Sequence, residues 1–348
     1  MRTPAHTSSP SAAARPAVSV IVITRNEEAQ IASTLESVIR QTAKVEAEII
    51  VVDSASTDQT VSIAGRYPVT IVQLPPGDHL SPSAGRYAGT RASSGELLLF
   101  VDGDMVLCDS WVEAMRDALA DPAVGGVAGV LYWIRPGEPL HTDHPYRSPV
   151  GEHPFLGGAA AYRREALEAA GSFHPFLHGE EERELGYRLR QKGYTLRRLN
   201  APMAYHMAKP RTEGEVKEKA RYFRGVGQIM RQHGFSALTA DLLLAQRRMF
   251  VSAFLLAVWL PLLVGLLVGG LTEIAALLAG VSLAGILGLM ALKGPARVVL
   301  HARGVLLSAL YWIRGLKMGL PDPGGFEPVL TAATLFGAVS DSSLHTSP

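Results

Sequence analysis

Apolar residues follow two regimes along this chain. Up to about residue 200 they come in short β-branched runs separated by polar loops and stretches of helical spacing; from residue 249 onward they form long unbroken runs. VSVIVIT at 18–24 predicts a central parallel strand. The polar loop Arg25-Asn26-Glu27-Glu28 follows, and then Ile31, Leu35, Val38 and Ile39 at helical spacing. EIIVVD at 48–53 predicts a second strand, with a loop over Ser54–Asp58, a helix from Gln59 to Arg66 and a third strand from Val69 to Leu74. LLLFV at 97–101 predicts another buried strand, and Thr195–Leu199 one more. Alternation of this kind predicts an α/β domain with a largely parallel sheet. Ligands of such sheets sit at the carboxyl ends of the strands. Thr24 to Glu27, Asp53 and the Asp102-Gly103-Asp104 segment all fall at such ends.

Asp102 and Asp104 are two apart at the end of a buried strand, so their carboxylates point the same way. Such a pair repels itself and attracts a hard cation, Mg²⁺ or Mn²⁺, whose shell a diphosphate can complete. The alternative is an ordinary Asp-Gly-Asp turn.

Four segments in order, VSVIVITRNEE, IIVVDSASTDQT, AGRYAGTRASSGELLLFVDGDM and GEEERELGYRLRQKGY, resemble the landmarks of family 2 glycosyltransferases with the GT-A fold, a Rossmann-like nucleotide-diphospho-sugar transferase fold. The resemblance covers roughly residues 17 to 208. It implies a nucleoside pocket lined by Thr24, Asn26 and Glu27, with Asp53 bonding base or ribose. Asn26 and Glu27 could equally be helix caps, and capping is the preferred reading of Ser56 and Asp58. Ser54 stands where many family members carry a second acid. The resemblance sets Arg86 near the diphosphate, against the alternative of a solvated surface arginine. It makes Asp102 and Asp104 the metal pair, Asp102 also touching ribose, and His206 a third ligand that would favour Mn²⁺. Aligned on Leu185 and Arg188, Glu182 takes the place of the family's catalytic base, with Glu181 as the fallback; the usual residue there is Asp. The alternative is an acidic first helical turn that complements the helix dipole. One base with no nucleophile implies a single displacement that inverts the anomeric centre. Phe155 to Ala159 reads as a glycine-rich substrate wall or as a simple turn.

The second regime reads as a membrane half. Met249–Val268 carries no charge, Leu271–Leu292 carries only Glu273, and each is long enough to span a bilayer. Arg247 and Arg248 before the first run, and Lys293 and Arg297 after the second, predict a hairpin with both flanks cytoplasmic. Val298–Leu320 reads as a third span or an interfacial helix, and 211–235, rich in Arg and aromatic residues, as an interfacial helix. The predicted organisation is a disordered tail (1–16), a GT-A catalytic domain (17–210), an interfacial amphipathic segment (211–247), transmembrane or interfacial helices (248–320) and a C-terminal tail (321–348). A net charge of +1 implies no nucleic-acid partner, and one cysteine, Cys108, excludes an internal disulfide.

The combined expectation is a metal-dependent, inverting glycosyltransferase in the cell membrane, its catalytic domain cytoplasmic. It would take a nucleoside-diphosphate sugar, UDP-sugar being what the resemblance favours, and pass the sugar to a lipid-linked or glycan acceptor. Gln246-Arg-Arg-Met-Phe does not match the Gln-x-x-Arg-Trp pattern of processive members, which favours one or a few sugars per acceptor. The alternatives are a polyprenyl-phosphate glycosyl synthase and a non-catalytic sugar-nucleotide sensor or scaffold.

Overall fold

The computed structural model describes residues 17–77, 80–134, 138, 145, 149–207, 214–280, 282 and 295–326. The predicted N-terminal tail and the chain beyond 326 lie outside the described residues.

The strands predicted from β-branched runs form as expected. β1 (Val18–Thr24) is buried along its whole length and lies between β2 (Ala47–Asp53) and β4 (Leu97–Asp102), parallel to both. β3 (Thr70–Gln73) extends this half beyond β2. The register sets Thr24 opposite Asp53 and Ile23 opposite Asp102, so the three strand ends finish on one rim. Connecting helices α1 (Ile31–Thr42), α2 (Thr60–Ala64) and α3 (Pro82–Ala92) complete this half. Ser81 caps α3 by accepting from the Ala84 N–H, and Pro82 occupies its first turn. The helix is rich in small residues and lies hard on the sheet: a Cβ at Gly89 would come within 2.3 Å of Ile21.

Beyond β4 the sheet departs from the parallel expectation. The order is β3-β2-β1-β4-β8-β6-β9-β5, with β5 (Met105–Leu107), β6 (Val124–Ile134), β8 (Ala160–Arg163) and β9 (Thr195–Met207); the short β7 (Gly151–Glu152) pairs with β9. β8 runs antiparallel to both β4 and β6, while β6 runs parallel to β9. The sheet is therefore mixed. Helices α4 (Trp111–Ala118), α5 (Arg164–Ala170) and α6 (Glu181–Gln191) belong to this half. Phe100, Tyr162 and Phe173 pack edge to face at its centre, 5.1 to 6.1 Å apart.

The C-terminal helices are α7 (Gly214–His233), α8 (Ala237–Ala245), α9 (Arg247–Val268) and α10 (Pro295–Met318). α7 and α10 cross closely because glycines meet backbone there: a Cβ at Gly315 would fall 2.0 Å from the Arg224 carbonyl oxygen. The first part of the predicted C-terminal tail is a packed segment. Phe326 meets Tyr87 and Phe176 edge to face at 5.7 and 5.5 Å, returning the chain to the sheet domain. Among the described residues no helix is long and apolar enough to cross a membrane. The expectation of spanning helices is thus not supported. Within the second apolar run, residues 272–280 and 282 are helical, and 281 and 283–292 lie outside the described residues. α10 carries His301, Arg303, Arg314 and Lys317, charges and imidazole that disfavour a spanning position.

Candidate active site

The loops after β1 and β2 are zipped together by their own polar groups. The Asn26 N–H donates to Ser56 Oγ (2.8 Å), Asn26 Oδ1 accepts from the Thr57 N–H (2.8 Å), and the Glu27 N–H donates to Thr60 Oγ1 (2.7 Å). Asp58 accepts from the Thr60 N–H at 3.0 Å and from the Glu28 N–H at 3.2 Å, while the N-cap position of α2 is Gln59, which makes no side-chain cap bond. Asp53 is fully buried, and its carboxylate accepts from both the N–H and the hydroxyl of Ser56. Asn26 and Ala55 take left-handed backbone conformations, φ 55° and 56°, which this cross-bonding holds in place. Thr24 Oγ1 differs: it is buried and has no partner among the described residues. Gly103 brings it against the Asp-Gly-Asp segment, since a Cβ there would lie 2.6 Å from that hydroxyl and 3.3 Å from Glu27.

Asp102 and Asp104 divide. β5 pairs with β9 so that Met105 faces His206, and the Met207 N–H donates to the Asp104 carbonyl. Asp104 Oδ1 then stands 3.2 Å from His206 Nε2. The exposed face of Trp133 on β6 stacks over His206, ring centres 4.4 Å apart. Asp102 turns the other way, to Arg86. Among the described residues no three His, Cys, Asp or Glu side chains are assembled as a metal cage. Asp104 and His206 nevertheless offer a carboxylate oxygen and an imidazole nitrogen side by side, a donor set suited to Mn²⁺ when a diphosphate supplies further oxygens.

Arg86 is only 2% exposed, so it is not the solvated surface residue of the alternative reading. Its guanidinium donates to Glu181 (2.8 Å) and Asp102 (3.1 Å), lies 3.4 Å from Glu182, and sits above the Phe173 ring. It thereby joins the end of β4 to the start of α6. One cation serves three carboxylates. Burial, then the neighbouring Glu181, push the Glu182 carboxyl up from 4.5 to about 8, despite the opposing pull of Arg86. Burial also raises Glu181 and Asp102. Glu181 is buried, whereas Glu182 keeps part of its side chain open, so Glu182 is the acid a substrate can reach. Gly158 leaves room beside all three groups: a Cβ there would lie 2.6 Å from Arg86, 3.3 Å from Asp102 and 3.4 Å from Glu182. The Phe155–Ala159 stretch is thus a wall of this cluster.

Glu184, next along α6, serves the scaffold. Burial raises its carboxyl, but hydrogen bonds from His233 and Arg188 outweigh that and hold it down to about 2. Three aromatic residues at the site were not read from the sequence: Trp133 over His206, Tyr162 within the field of Glu182 and Arg86, and Tyr222 on α7. The Tyr222 phenol is pushed up by the surrounding protein and by the negative field of Glu181 and Glu182.

Models of protein families match two stretches of this chain, "Glycosyl transferase family 2" over residues 19–171 and "Glycosyl transferase family group 2" over 141–292. Glycosyltransferase AglE of Haloferax volcanii is 26% identical over 226 residues, covering 62% of this chain and 73% of that protein. Pre-mycofactocin glycosyltransferase of Mycobacterium tuberculosis is 24% identical over 248 residues; the chain spans about half that relative's length, 51%, with 66% of itself. The mannosyltransferase PcManGT of Pyrobaculum calidifontis, solved with GDP-Man and Mn²⁺, shares the fold at a TM-score of 0.56 and 22% identity, covering 86% of this chain and 88% of that one. The family matches, the glycosyltransferase relatives and the mixed GT-A-like sheet lead to one conclusion: this chain is a glycosyltransferase, with family 2 similarity over residues 19–171.

Proposed function

We propose that this glycosyltransferase moves a sugar, with inversion, from a nucleoside diphosphate to an acceptor carried on a lipid or glycan. The observation that carries the reading is the cluster in which Arg86 ties Asp102 to Glu181 and Glu182, beside the Asp104–His206 pair. The nucleoside would lie over the β1 and β2 loops, with the unpartnered Thr24 hydroxyl facing it. A bound Mn²⁺ or Mg²⁺, held by Asp104 and His206, would neutralise the departing diphosphate; the Mn²⁺ in PcManGT supports this choice. Glu182 then accepts the proton of the acceptor hydroxyl as its oxygen bonds the anomeric carbon and the carbon–oxygen bond to the diphosphate breaks. The proton rests on Glu182 and the negative charge leaves with the nucleoside diphosphate.

The lipid-linked acceptor draws support from the start of α9. Gln246 Nε2 donates to Glu180 (3.0 Å), directly before the acids, and α9 then exposes large apolar side chains such as Val251, Phe254 and Leu267. Arg247 and Arg248 at its start suit an anionic lipid surface. We place the catalytic domain on the cytoplasmic side, where sugar nucleotides are made. A polyprenyl phosphate as acceptor is the second reading, favoured by that same apolar face; such an acceptor needs little base catalysis.

Glu182→Gln discriminates between the two. With a hydroxyl acceptor, kcat falls by about 10²- to 10⁴-fold while donor KM holds; a rate near wild type would point to the phosphate acceptor. The wild-type rate rises with pH towards about 8, as Glu182 ionises, and the variant loses that dependence. Stability moves the other way. The folded chain holds a proton on Glu182 that the unfolded chain releases, so this contribution is full below about 4.5 and is lost as pH rises through about 8.

A further inference from the structure

The turn that presents the acids is held in an uncommon shape. Gly179 and Glu180 both have positive φ, 144° and 60°, immediately before α6 begins at Glu181. Two successive residues of this kind set the direction in which Glu181 and Glu182 leave the backbone. Nothing in their own sequence enforces it, since Glu180 lacks the freedom of glycine.

The restraint comes from the C-terminal helices. Gln228, in the middle of α7, is 1% exposed and uses every polar hydrogen of its amide. Its Oε1 accepts from the His178 N–H at 3.2 Å, while Nε2 donates to the carbonyls of Phe176 (3.0 Å) and Gly319 (3.1 Å). One buried side chain therefore fastens residues 176–178 to α7 and to the end of α10. The turn itself lies flush on α7: a Cβ at Gly179 would fall 2.8 Å from the Tyr222 carbonyl oxygen, and one at Gly225 would fall 2.1 Å from that of Gly179. A glutamine at a helix crossing where an apolar residue could pack is a costly choice unless its hydrogen bonds hold something in place.

We propose that Gln228 is a positioning residue for the base. It touches no substrate; it fixes the 176–180 turn so that Glu182 projects beside Arg86 within reach of the acceptor hydroxyl. The inference rests on Glu182 being the base. It also makes the C-terminal helices part of the catalytic unit, because a shift of α7 or α10 is transmitted to Glu182 through this amide.

The test uses the full chain as wild type, Gln228→Leu, Gln228→Glu and Glu182→Gln. Nucleoside-diphosphate release is followed with a sugar nucleotide, Mn²⁺ and a native lipid extract, and UDP and GDP binding are titrated separately. For Gln228→Leu we expect nucleotide affinity and donor KM within about twofold of wild type and kcat lower by about tenfold or more, because small misplacement of a reacting group is costly. Gln228→Glu keeps the acceptor for His178 but turns a buried carboxylate oxygen toward the Phe176 and Gly319 carbonyls, so its kcat falls at least as far as that of the leucine variant; should the leucine variant not fold, the same split in the glutamate variant decides. Wild-type kcat in these variants, or nucleotide affinity and kcat falling together, would overturn the inference. If Glu182→Gln turns over like wild type, the base assignment fails and the inference with it; if Glu182→Gln is inactive and Gln228→Leu is not impaired, the inference alone fails.

Discussion

The two sides of the site are built on opposite principles. On the proposed nucleotide side, the loops after β1 and β2 bond one another: Asn26 joins Ser56 and Thr57, Ser56 joins Asp53, and the Glu27 N–H joins Thr60, with the left-handed residues held between them. On the acid side, one guanidinium is shared among Asp102, Glu181 and Glu182, and burial holds the carboxyls high. Apart from the Thr24 hydroxyl, the first region is satisfied by its own groups. The second is frustrated until a proton, a cation or a substrate relieves it. A rigid cradle suits a nucleotide that only needs to be held, whereas a carboxyl pushed up towards neutrality suits a group that must accept a proton.

Removing the shared cation is the severest way to break this contrast. Arg86→Leu leaves three carboxylates without their partner, and we expect a loss of about 3–5 kcal/mol of stability, read as a lowered Tm. Adding Glu181→Gln to that variant removes one buried charge and recovers part of the loss, which sharpens the claim that excess negative charge, not lost packing, is responsible. The nucleotide side responds far less. Ser56→Ala takes away one hydroxyl between Asp53 and Asn26; about 0.5–1.5 kcal/mol of stability is expected to go, with kcat nearly unchanged. If the two substitutions cost the same, the two sides do not differ as described.

The nucleotide side was the more legible in the sequence. β1 and β2 follow from β-branched runs and β4 from a leucine-rich apolar run, and the parallel register then brings Thr24, Asp53 and Asp102 to one rim. The meeting of Asp104 with His206 followed from resemblance, because it depends on β5 pairing with β9 across a long stretch of chain. The burial of Arg86 rules out only the surface alternative, and a signal for it was available: Arg86 sits amid Ser83, Ala84, Gly85, Ala88 and Gly89. A helix this lean lies close to the sheet and carries Arg86 inside, while Arg91 in its last turn stays exposed. The antiparallel half could not be read, since the insertion of β8 between β4 and β6 is a matter of topology and not of periodicity. The apolar runs of the C-terminal helices were visible, but what covers them was not. α7 lies within the 211–235 segment read as an interfacial helix; its Gln228 and Ile229 are buried, and it packs along α10. The return of Phe326 to Tyr87 left no pattern at all.

The reading of a metal-assisted sugar-nucleotide transferase turns on one comparison. Wild-type chain and Asp104→Ala are each given a panel of nucleoside-diphosphate sugars with Mn²⁺ and a native lipid extract, and release of nucleoside diphosphate is followed. Release from one donor, abolished by a chelator and absent in Asp104→Ala despite an unchanged Tm, is the predicted result. Release that survives both the chelator and the substitution would contradict the role given to Asp104 and His206, and no release from any donor by folded wild-type protein would contradict the proposed transfer itself.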